Sequence, residues 1–320
     1  MEATSHIYIA GHDGLVGSAL VRKFNQKGFK NLITRHHTEV DLRRQAEVEA
    51  FFEQEQPEFV VLAAAKVGGI LANNTYPAEF IYDNLAIQTN IIHAAWKTGV
   101  KRLIFLGSSC IYPRECPQPM KEDYLLTGPL ESTNEPYAIA KIAGIKMCQS
   151  YNRQYGTRYF ALMPTNLYGP NDNFNLETSH VLPALIRKFH DAKTEKAESV
   201  TVWGTGSPRR EFLHVDDLAD ACLHIINLDE AAFSSLISDT AAPLVNIGCG
   251  QDHTIRELAE LIGQIVDFAG RLVFDTTKPD GTPQKLLDVS LLARLGWRQT
   301  ISLEQGIAAT YEWCLNNRVF

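Results

Sequence analysis

The sequence predicts an α/β fold, in which a doubly wound, parallel-sheet Rossmann domain is joined to a smaller α/β substrate-binding domain. Short apolar runs alternate with stretches of helical period from the N-terminus onward, and a glycine-rich segment directly follows the first run. Strands that alternate with helices form parallel sheets, because each crossover helix returns the chain to the same end of the sheet. The 320 residues exceed the length at which one core usually stops growing, so a second domain is expected.

Five apolar runs have the length and composition of buried strands. They are Ile7–Ala10, Leu32–Thr34, Phe59–Ala64, Leu103–Leu106 and Tyr159–Met163. Helical connectors are predicted from Leu15 to Lys27, which Gly28 ends, and from Arg43 to Gln56, which Pro57 ends. Pro77 and Pro136 stand where first-turn prolines begin two more helices.

The pattern loosens after Gly169-Pro170. A loop rich in Asn and Asp precedes a helix from about Val181, and a helix near Asp216 to Leu228 precedes a strand at Leu244–Ile247. Because this strand could return to the first sheet, we expect both domains to be discontinuous. The Rossmann domain is predicted at residues 1–170 and 213–248, and the substrate domain at 171–212 and 249–320.

Composition narrows the class of protein. With 45% hydrophobic and 21% charged residues, the chain is typical of a globular protein. A net charge of -7 without a long Lys/Arg run argues against a nucleic-acid or membrane surface. The polar N-terminus, and six cysteines without a C-x-x-C pair, predict a cytoplasmic protein with reduced thiols and no metal site.

The glycine-rich segment is Gly11-His12-Asp13-Gly14-Leu15-Val16-Gly17, with the spacing G-x-x-G-x-x-G. The first glycine permits a tight turn, the second lets the backbone approach a pyrophosphate, and the third lets the helix pack closely on the strand. The helix N-terminus attracts the negative charge. This segment therefore predicts a dinucleotide site.

The residue after the second strand indicates which dinucleotide binds. An acidic residue there would bind an unphosphorylated ribose, whereas this chain has Arg35, followed by His36 and His37. The guanidinium favours a 2′-phosphate and hence NADP, although Arg35 could instead be a solvated surface residue. Asp13 opposes this prediction, because a carboxylate that faced the phosphate would repel it.

A second cluster carries the predicted chemistry. Ser108 follows the fourth strand, and Tyr137 and Lys141 lie one helical turn apart on the same face. A ketone that accepts hydride needs a proton donor, which Tyr137 can supply, while Lys141 can lower the pKa of the phenol and bind the nicotinamide ribose. Ser108 can orient the carbonyl.

These residues, with longer runs elsewhere, give the chain a resemblance to the extended short-chain dehydrogenases, most closely to the GDP-L-fucose synthase (GDP-4-keto-6-deoxy-D-mannose 3,5-epimerase/4-reductase) family. The runs are Leu62–Ile70, Asn73–Pro77, Leu106–Pro113, Met163–Pro170, Ser179–Pro183 and Lys278–Pro283. The resemblance implies C3/C5 epimerisation of a GDP-4-keto-6-deoxy sugar, followed by reduction of its C4 ketone by NADPH. It also implies a homodimer that pairs helices at Pro77 to Lys97 and Pro136 to Tyr155.

The resemblance also implies roles for individual residues. Cys110 and His180 would be the base and acid of epimerisation, although Cys110 could be a small buried residue and His180 a helix cap. Lys188, Trp203, Arg210 and Asp280 would hold the GDP-sugar. Further cofactor contacts are expected at Asp41, Leu42, Leu106, Gly107, Pro164, Thr165, Asn166, Leu167 and His180.

Other functions remain open at this point. A nucleotide-sugar 4,6-dehydratase needs an acid and base pair of carboxylates just after the catalytic Ser or Thr, where this chain has Ser109 and Cys110. A plain 4-epimerase would not require Cys110 and His180. A silent dinucleotide-binding module would not need to keep Ser108, Tyr137 and Lys141 together.

Overall fold

The computed structural model describes residues 1–237, 241–278 and 280–320. Its strands are β1 (His6–Ala10), β2 (Asn31–Ile33), β3 (Phe59–Leu62), β4 (Arg102–Leu106), β5 (Tyr159–Pro164), β6 (Asn166–Tyr168), β7 (Ser199–Trp203), β8 (Arg209–His214), β9 (Leu244–Ile247), β10 (Asp252–Thr254), β11 (Arg271–Asp275) and β12 (Gln284–Lys285). Its helices are α1 (Leu15–Gln26), α2 (Gln45–Glu55), α3 (Ile70–Thr75), α4 (Pro77–Lys97), α5 (Glu135–Tyr155), α6 (Val181–Thr194), α7 (Val215–Ile226), α8 (Glu230–Ser235), α9 (Ile255–Val266), α10 (Ser290–Arg294) and α11 (Leu303–Asn316). Pro279, within the Lys278–Pro283 run, lies outside the described residues.

The main sheet is parallel and has the strand order β2-β1-β3-β4-β5-β9. All five strands predicted from the N-terminal half are present, with ends that differ by one or two residues. The strand at Leu244–Ile247 does return to this sheet, where it pairs with β5. The chain order reverses between β1 and β3, and ligands of open α/β sheets bind at such a reversal, outside the carboxyl ends of the strands.

Helices cover both faces of the main sheet. On one face, α1 and α7 pack together and bury Leu20, Phe24 and Ile225 against the strands. On the other face, α2, α4 and α5 bury Phe52 and Ile92. The three layers are those of a doubly wound fold, which confirms the predicted fold class.

A second group of elements forms smaller sheets. β8 pairs with β10, β12 and β6, while β11 pairs with β7. A separate core packs α6, α9 and α11 around Phe189, Ile262 and Ile307. Since β12 runs parallel to β8 with Lys285 opposite Arg210, this pairing brings together cations that are far apart in sequence.

Three further properties concern the whole described chain. Among the described residues, no helix combines the length and apolar character needed to cross a membrane. All six cysteines are described, and each is a free thiol. Within the same described ranges, no cluster of three or more His, Cys, Asp or Glu side chains is arranged to hold a metal ion.

Candidate active site

The glycine-rich turn lies between β1 and α1. Gly11 has a φ of +82°, and a Cβ there would lie 2.7 Å from the Ala64 Cα. A Cβ on Gly17 would lie 1.9 Å from the Gly11 carbonyl oxygen, so the helix can pack on the turn only because this position is glycine. A Cβ at Gly14 would make only an ordinary van der Waals contact, 3.6 Å from the Gly11 carbonyl oxygen, so this side of the helix N-terminus is not crowded by the described residues.

That space suits a pyrophosphate. Among the described residues, no side chain caps the N-terminus of α1, and its first turn contains no acidic residue, so the N–H groups of that turn are available to an anion. Leu15 and Val16 begin the helix and pack against the core. The residues present therefore fit the dinucleotide that the sequence predicts.

The residues at the predicted 2′-phosphate end are arranged differently from the expectation. The Arg35 guanidinium pairs with Glu55 at the end of α2 and donates to the Thr34 carbonyl oxygen at 2.7 Å. The Asp13 carboxylate lies 2.9 Å from His12 Nε2 and 3.7 Å from His36 Nε2. The structure therefore places a carboxylate, rather than a free guanidinium, beside the end of β2.

The other predicted cofactor residues lie at strand ends or just after β2. Asp41 accepts two hydrogen bonds from the Arg43 guanidinium, which hold the pKa of its carboxyl at about 2. The Leu42 carbonyl oxygen accepts from Asn90 Nδ2 at 3.0 Å. Leu106 ends β4 and Gly107 follows it, and a Cβ on Gly107 would lie 2.1 Å from Met163 Cε.

The end of β5 leads directly into β6 through Pro164, Thr165, Asn166 and Leu167. Thr165 Oγ1 and Asn166 Nδ2 both donate to the Glu211 carbonyl oxygen, at 3.1 and 2.8 Å. This segment is therefore fixed against β8, at the carboxyl edge of the main sheet.

The structure brings four of the predicted catalytic residues together. Ser108 caps the short 3₁₀ turn Ser109–Ile111, where its Oγ accepts from the Cys110 backbone N–H at 3.4 Å. Tyr137 lies near Ser108, whose hydroxyl opposes the rise in the pKa of the phenol, and Lys141 Nζ lies 5.6 Å from the centroid of the Tyr137 ring. Lys141 is buried, and its Nζ donates to the Leu106 carbonyl oxygen at 2.8 Å.

Burial controls the protonation of this cluster. It raises the pKa of the Tyr137 phenol well above its usual range, and the nearby Ser108 hydroxyl offsets this only in part. Burial lowers the pKa of Lys141 to about 8. Desolvation therefore dominates the pKa of Tyr137, and the phenol keeps its proton.

Cys110 is buried in the same cluster. Burial raises the pKa of its thiol, while a hydrogen bond with Ser108 and the charges of Lys285 and Lys141 oppose that rise. Lys285 is a residue that the sequence reasoning missed. Its proximity to Cys110 and Arg210 depends on the pairing of β12 with β8, for which the local sequence carries no signal.

His180 stands at the start of α6 without capping the helix through its side chain. In the described part of the chain, its imidazole has no hydrogen-bond partner. Although the residue is exposed, desolvation of the ring by nearby atoms lowers its pKa, which favours the neutral form. The residues before it are anchored, because the Gly69 N–H donates to the Thr178 carbonyl oxygen at 3.2 Å. No direct contact between His180 and Cys110 is present among the described hydrogen bonds.

The predicted substrate residues surround the turn after β7. Lys188 Nζ lies 5.5 Å from the centroid of the Trp203 ring, which is 66% exposed. Asp280 accepts from the Thr205 N–H at 2.9 Å and from its hydroxyl at 2.7 Å. Arg210 Nη1 donates to the Thr282 carbonyl oxygen at 2.6 Å, so the 280–282 segment joins these residues into one surface.

The glycine turn at the edge of a parallel sheet, with Ser108, Tyr137 and Lys141 beside it, defines a dinucleotide-dependent oxidoreductase of the short-chain dehydrogenase type. The family model described as the NAD dependent epimerase/dehydratase family matches residues 7–236, and the chain belongs to this family.

Known relatives narrow the comparison further. GDP-L-fucose synthase 1 of Arabidopsis thaliana is 61% identical over 99% of this chain and 95% of its own length. GDP-L-fucose synthase of Escherichia coli (strain K12) is 56% identical over 98% of this chain and 97% of its own length. A solved GDP-L-fucose synthetase from Naegleria fowleri bound to NADP is 28% identical with a TM-score of 0.87, over 100% of this chain and 96% of that one.

Proposed function

We propose that this protein converts GDP-4-keto-6-deoxy-D-mannose into GDP-L-fucose, by epimerisation at C3 and C5 and then NADPH-dependent reduction of the C4 ketone. The observation that carries this proposal is the thiol of Cys110 beside the Ser108, Tyr137 and Lys141 cluster. A reductase alone needs no such thiol. The full-length identity of 56–61% with GDP-L-fucose synthases supports the same activity.

The cofactor of this reaction is NADP, which supplies a hydride in its reduced form. The free N–H groups of α1 and the open side of Gly14 would hold the pyrophosphate. Lys141 would bind the nicotinamide ribose, and Asn166 and Leu167 would line the nicotinamide pocket. Asp41 and Leu42 would border the adenosine.

Epimerisation requires a base and an acid on opposite faces of the sugar. A C4 ketone acidifies the hydrogens at C3 and C5, so a group that removes one proton generates an enolate. Cys110 would act as the base; burial raises the pKa of its thiol, and the charges of Lys285 and Lys141 oppose that rise and favour the thiolate. His180 would return the proton from the opposite face, and Ser108 and Tyr137 would hydrogen-bond the enolate oxygen.

Reduction uses the same site. The raised pKa of Tyr137 keeps the phenol protonated, so it can donate a proton to O4 as the ketone becomes an alcohol. Ser108, which lies near Tyr137, would orient the carbonyl. Lys141, held by the Leu106 carbonyl oxygen, stabilises the negative charge that develops.

The GDP-sugar would bind along the surface around the turn after β7. Arg210 and Lys188 are half-buried cations that suit the diphosphate, and Trp203 offers an exposed ring for stacking. Asp280, fixed by Thr205, would accept hydrogen bonds from the substrate. These roles remain predictions.

We propose the same division into two discontinuous domains. Residues 1–170 and 213–248 would form the dinucleotide-binding domain, and residues 171–212 and 249–320 the substrate domain. The separate core around Phe189 and Ile262 supports this division. A cytoplasmic location is proposed from the free thiols.

We also infer a homodimer. α4 and α5 pack side by side, and their outer surface exposes Tyr82 (66%), Ile139 (41%) and Tyr155 (45%). A second copy of the same helix pair would bury these side chains as a four-helix bundle.

The experiment separates the two chemical steps. Purified protein with NADPH and GDP-4-keto-6-deoxy-D-mannose should yield GDP-L-fucose. The reduction step is monitored by the loss of NADPH absorbance. In deuterated water without NADPH, the wild type should exchange the C3 and C5 protons, whereas Cys110→Ser should lose exchange. Cys116→Ser, a matched thiol replacement outside the cluster, should keep it.

Each contrary outcome has a specific meaning. Full proton exchange by Cys110→Ser would refute the assignment of the base. NADPH oxidation without any exchange would indicate a simple C4 reductase. Dinucleotide binding without turnover would favour the silent module, and elimination of water from GDP-mannose would favour the dehydratase.

A further inference from the structure

The end of β2 contains fewer free positive groups than a site for a 2′-phosphate normally has. Arg35 is paired with Glu55, donates to the Thr34 carbonyl oxygen, and lies 5.7 Å from the centroid of the Phe51 ring. These contacts hold the guanidinium against α2. To bind a phosphate, it would have to exchange the Glu55 carboxylate for that ligand.

The neighbouring cations are also paired. The Arg43 guanidinium donates to both oxygens of Asp41 at 2.9 Å and lies 3.4 Å from Asp83 Oδ1. Arg44 lies 3.6 Å from both Asp41 and Glu47. Each guanidinium of this segment therefore already has a carboxylate partner.

Asp13 adds a negative charge at the same edge. Its side chain is 59% exposed, in the turn that precedes α1, and lies between the His12 and His36 rings at 2.9 and 3.7 Å. The His36 ring is 4.0 Å from that of His37, centroid to centroid. The carboxylate therefore spans from the glycine turn to the segment after β2, where the adenosine ribose of a dinucleotide would lie.

We propose that Asp13 is the residue that sets the choice between NADPH and NADH in this protein, and that it keeps the preference for NADPH small. The inference rests on the proposed function, because it concerns the dinucleotide that the reaction consumes. A carboxylate repels a 2′-phosphate but accepts a hydrogen bond from a 2′-hydroxyl. Asp13 therefore weakens the binding of one dinucleotide and supports that of the other.

The test measures binding rather than turnover. The full-length protein, freed of bound nucleotide, is titrated calorimetrically with NADPH and with NADH. Asp13→Asn should tighten NADPH binding about tenfold and change NADH binding by less than about threefold, since it removes one charge at the exposed edge of the site. Glu53→Gln, an equal change of charge at an exposed position of α2, should leave both affinities unchanged.

A second variant tests the same arrangement from the other side. Glu55→Gln removes the partner of Arg35 and should also tighten NADPH binding selectively, by about three- to tenfold. The inference is overturned if Asp13→Asn changes both affinities equally or matches Glu53→Gln. It is also overturned if the wild type binds NADPH more than about a hundredfold more tightly than NADH. If neither dinucleotide binds, the proposed function fails as well.

Discussion

Asp172, in the loop that leads from β6 to α6, should make the stability of the protein depend on pH. Its Oδ1 accepts from the Asn173 N–H at 2.7 Å, whereas its Oδ2 is buried without a hydrogen-bond partner among the described residues. Burial raises the pKa of this carboxyl from 3.8 to about 7. Asp172→Asn keeps the Oδ1 contact and removes the ionisable group.

The sign and size of the effect follow from the two pKa values. Between the unfolded value of 3.8 and the folded value of about 7, the native protein binds a proton that the unfolded chain does not. The free energy of unfolding therefore falls as the pH rises through this window. Each tenfold change in proton affinity is worth about 1.4 kcal/mol, so the free energy of unfolding falls by about 4 kcal/mol over the whole window. Between about pH 5 and about pH 8.5, the free energy of unfolding should fall by about 2 to 3 kcal/mol.

Urea unfolding of the wild type and Asp172→Asn at both pH values measures this difference. The variant should be more stable than the wild type at the higher pH, by about 2 to 4 kcal/mol, and the gap should narrow in mild acid. Glu177→Gln, an exposed carboxylate in the same loop, serves as the control. The reasoning is refuted if the wild type and Asp172→Asn lose stability in parallel as the pH rises.

Three other predictions follow from contacts described here. Glu211 is fully buried, and its carboxylate accepts from three backbone N–H groups at 2.6, 2.7 and 3.0 Å. Glu211→Ala should therefore destabilise the protein by about 3 to 6 kcal/mol. An unchanged midpoint of thermal unfolding would contradict this. Lys285→Met should slow alkylation of Cys110 by iodoacetamide about three- to tenfold at fixed pH, because the thiolate loses a nearby cation. A rate equal to that of the wild type would show that Lys285 does not stabilise the thiolate. Gly17→Ala should weaken NADPH binding at least about tenfold in equilibrium dialysis, since its Cβ would overlap the Gly11 carbonyl oxygen; retained affinity would mean that the turn can shift without loss.

Local sequence patterns predicted the elements that depend on local physics. Apolar runs gave the strands of the main sheet, and Gly28 and Pro57 marked where α1 and α2 end. The Tyr137 and Lys141 spacing was sufficient to place both side chains on one helical face, since residues four apart share a face. The prediction of the fold class needed no information about distant contacts.

The features that sequence reasoning missed depend on pairings between distant segments. Lys285 comes near Cys110 because β12 lies beside β8, and neither strand has a pattern that selects the other. The partner of Arg35 could not be predicted either, because Glu55 ends a helix twenty residues later. Roles for Cys110 and His180 came from the family resemblance, because an isolated thiol and an isolated imidazole carry no specific signal.

The position of β9 at the edge of the main sheet has a consequence for synthesis of the chain. Translation delivers the first five strands of this sheet long before residues 244–247 leave the ribosome. Until then, β5 is an edge strand with unpaired N–H and C=O groups, and such edges recruit other chains. Nascent chains that stall between β8 and β9 should therefore require chaperones, while those released after β9 has paired with β5 should not.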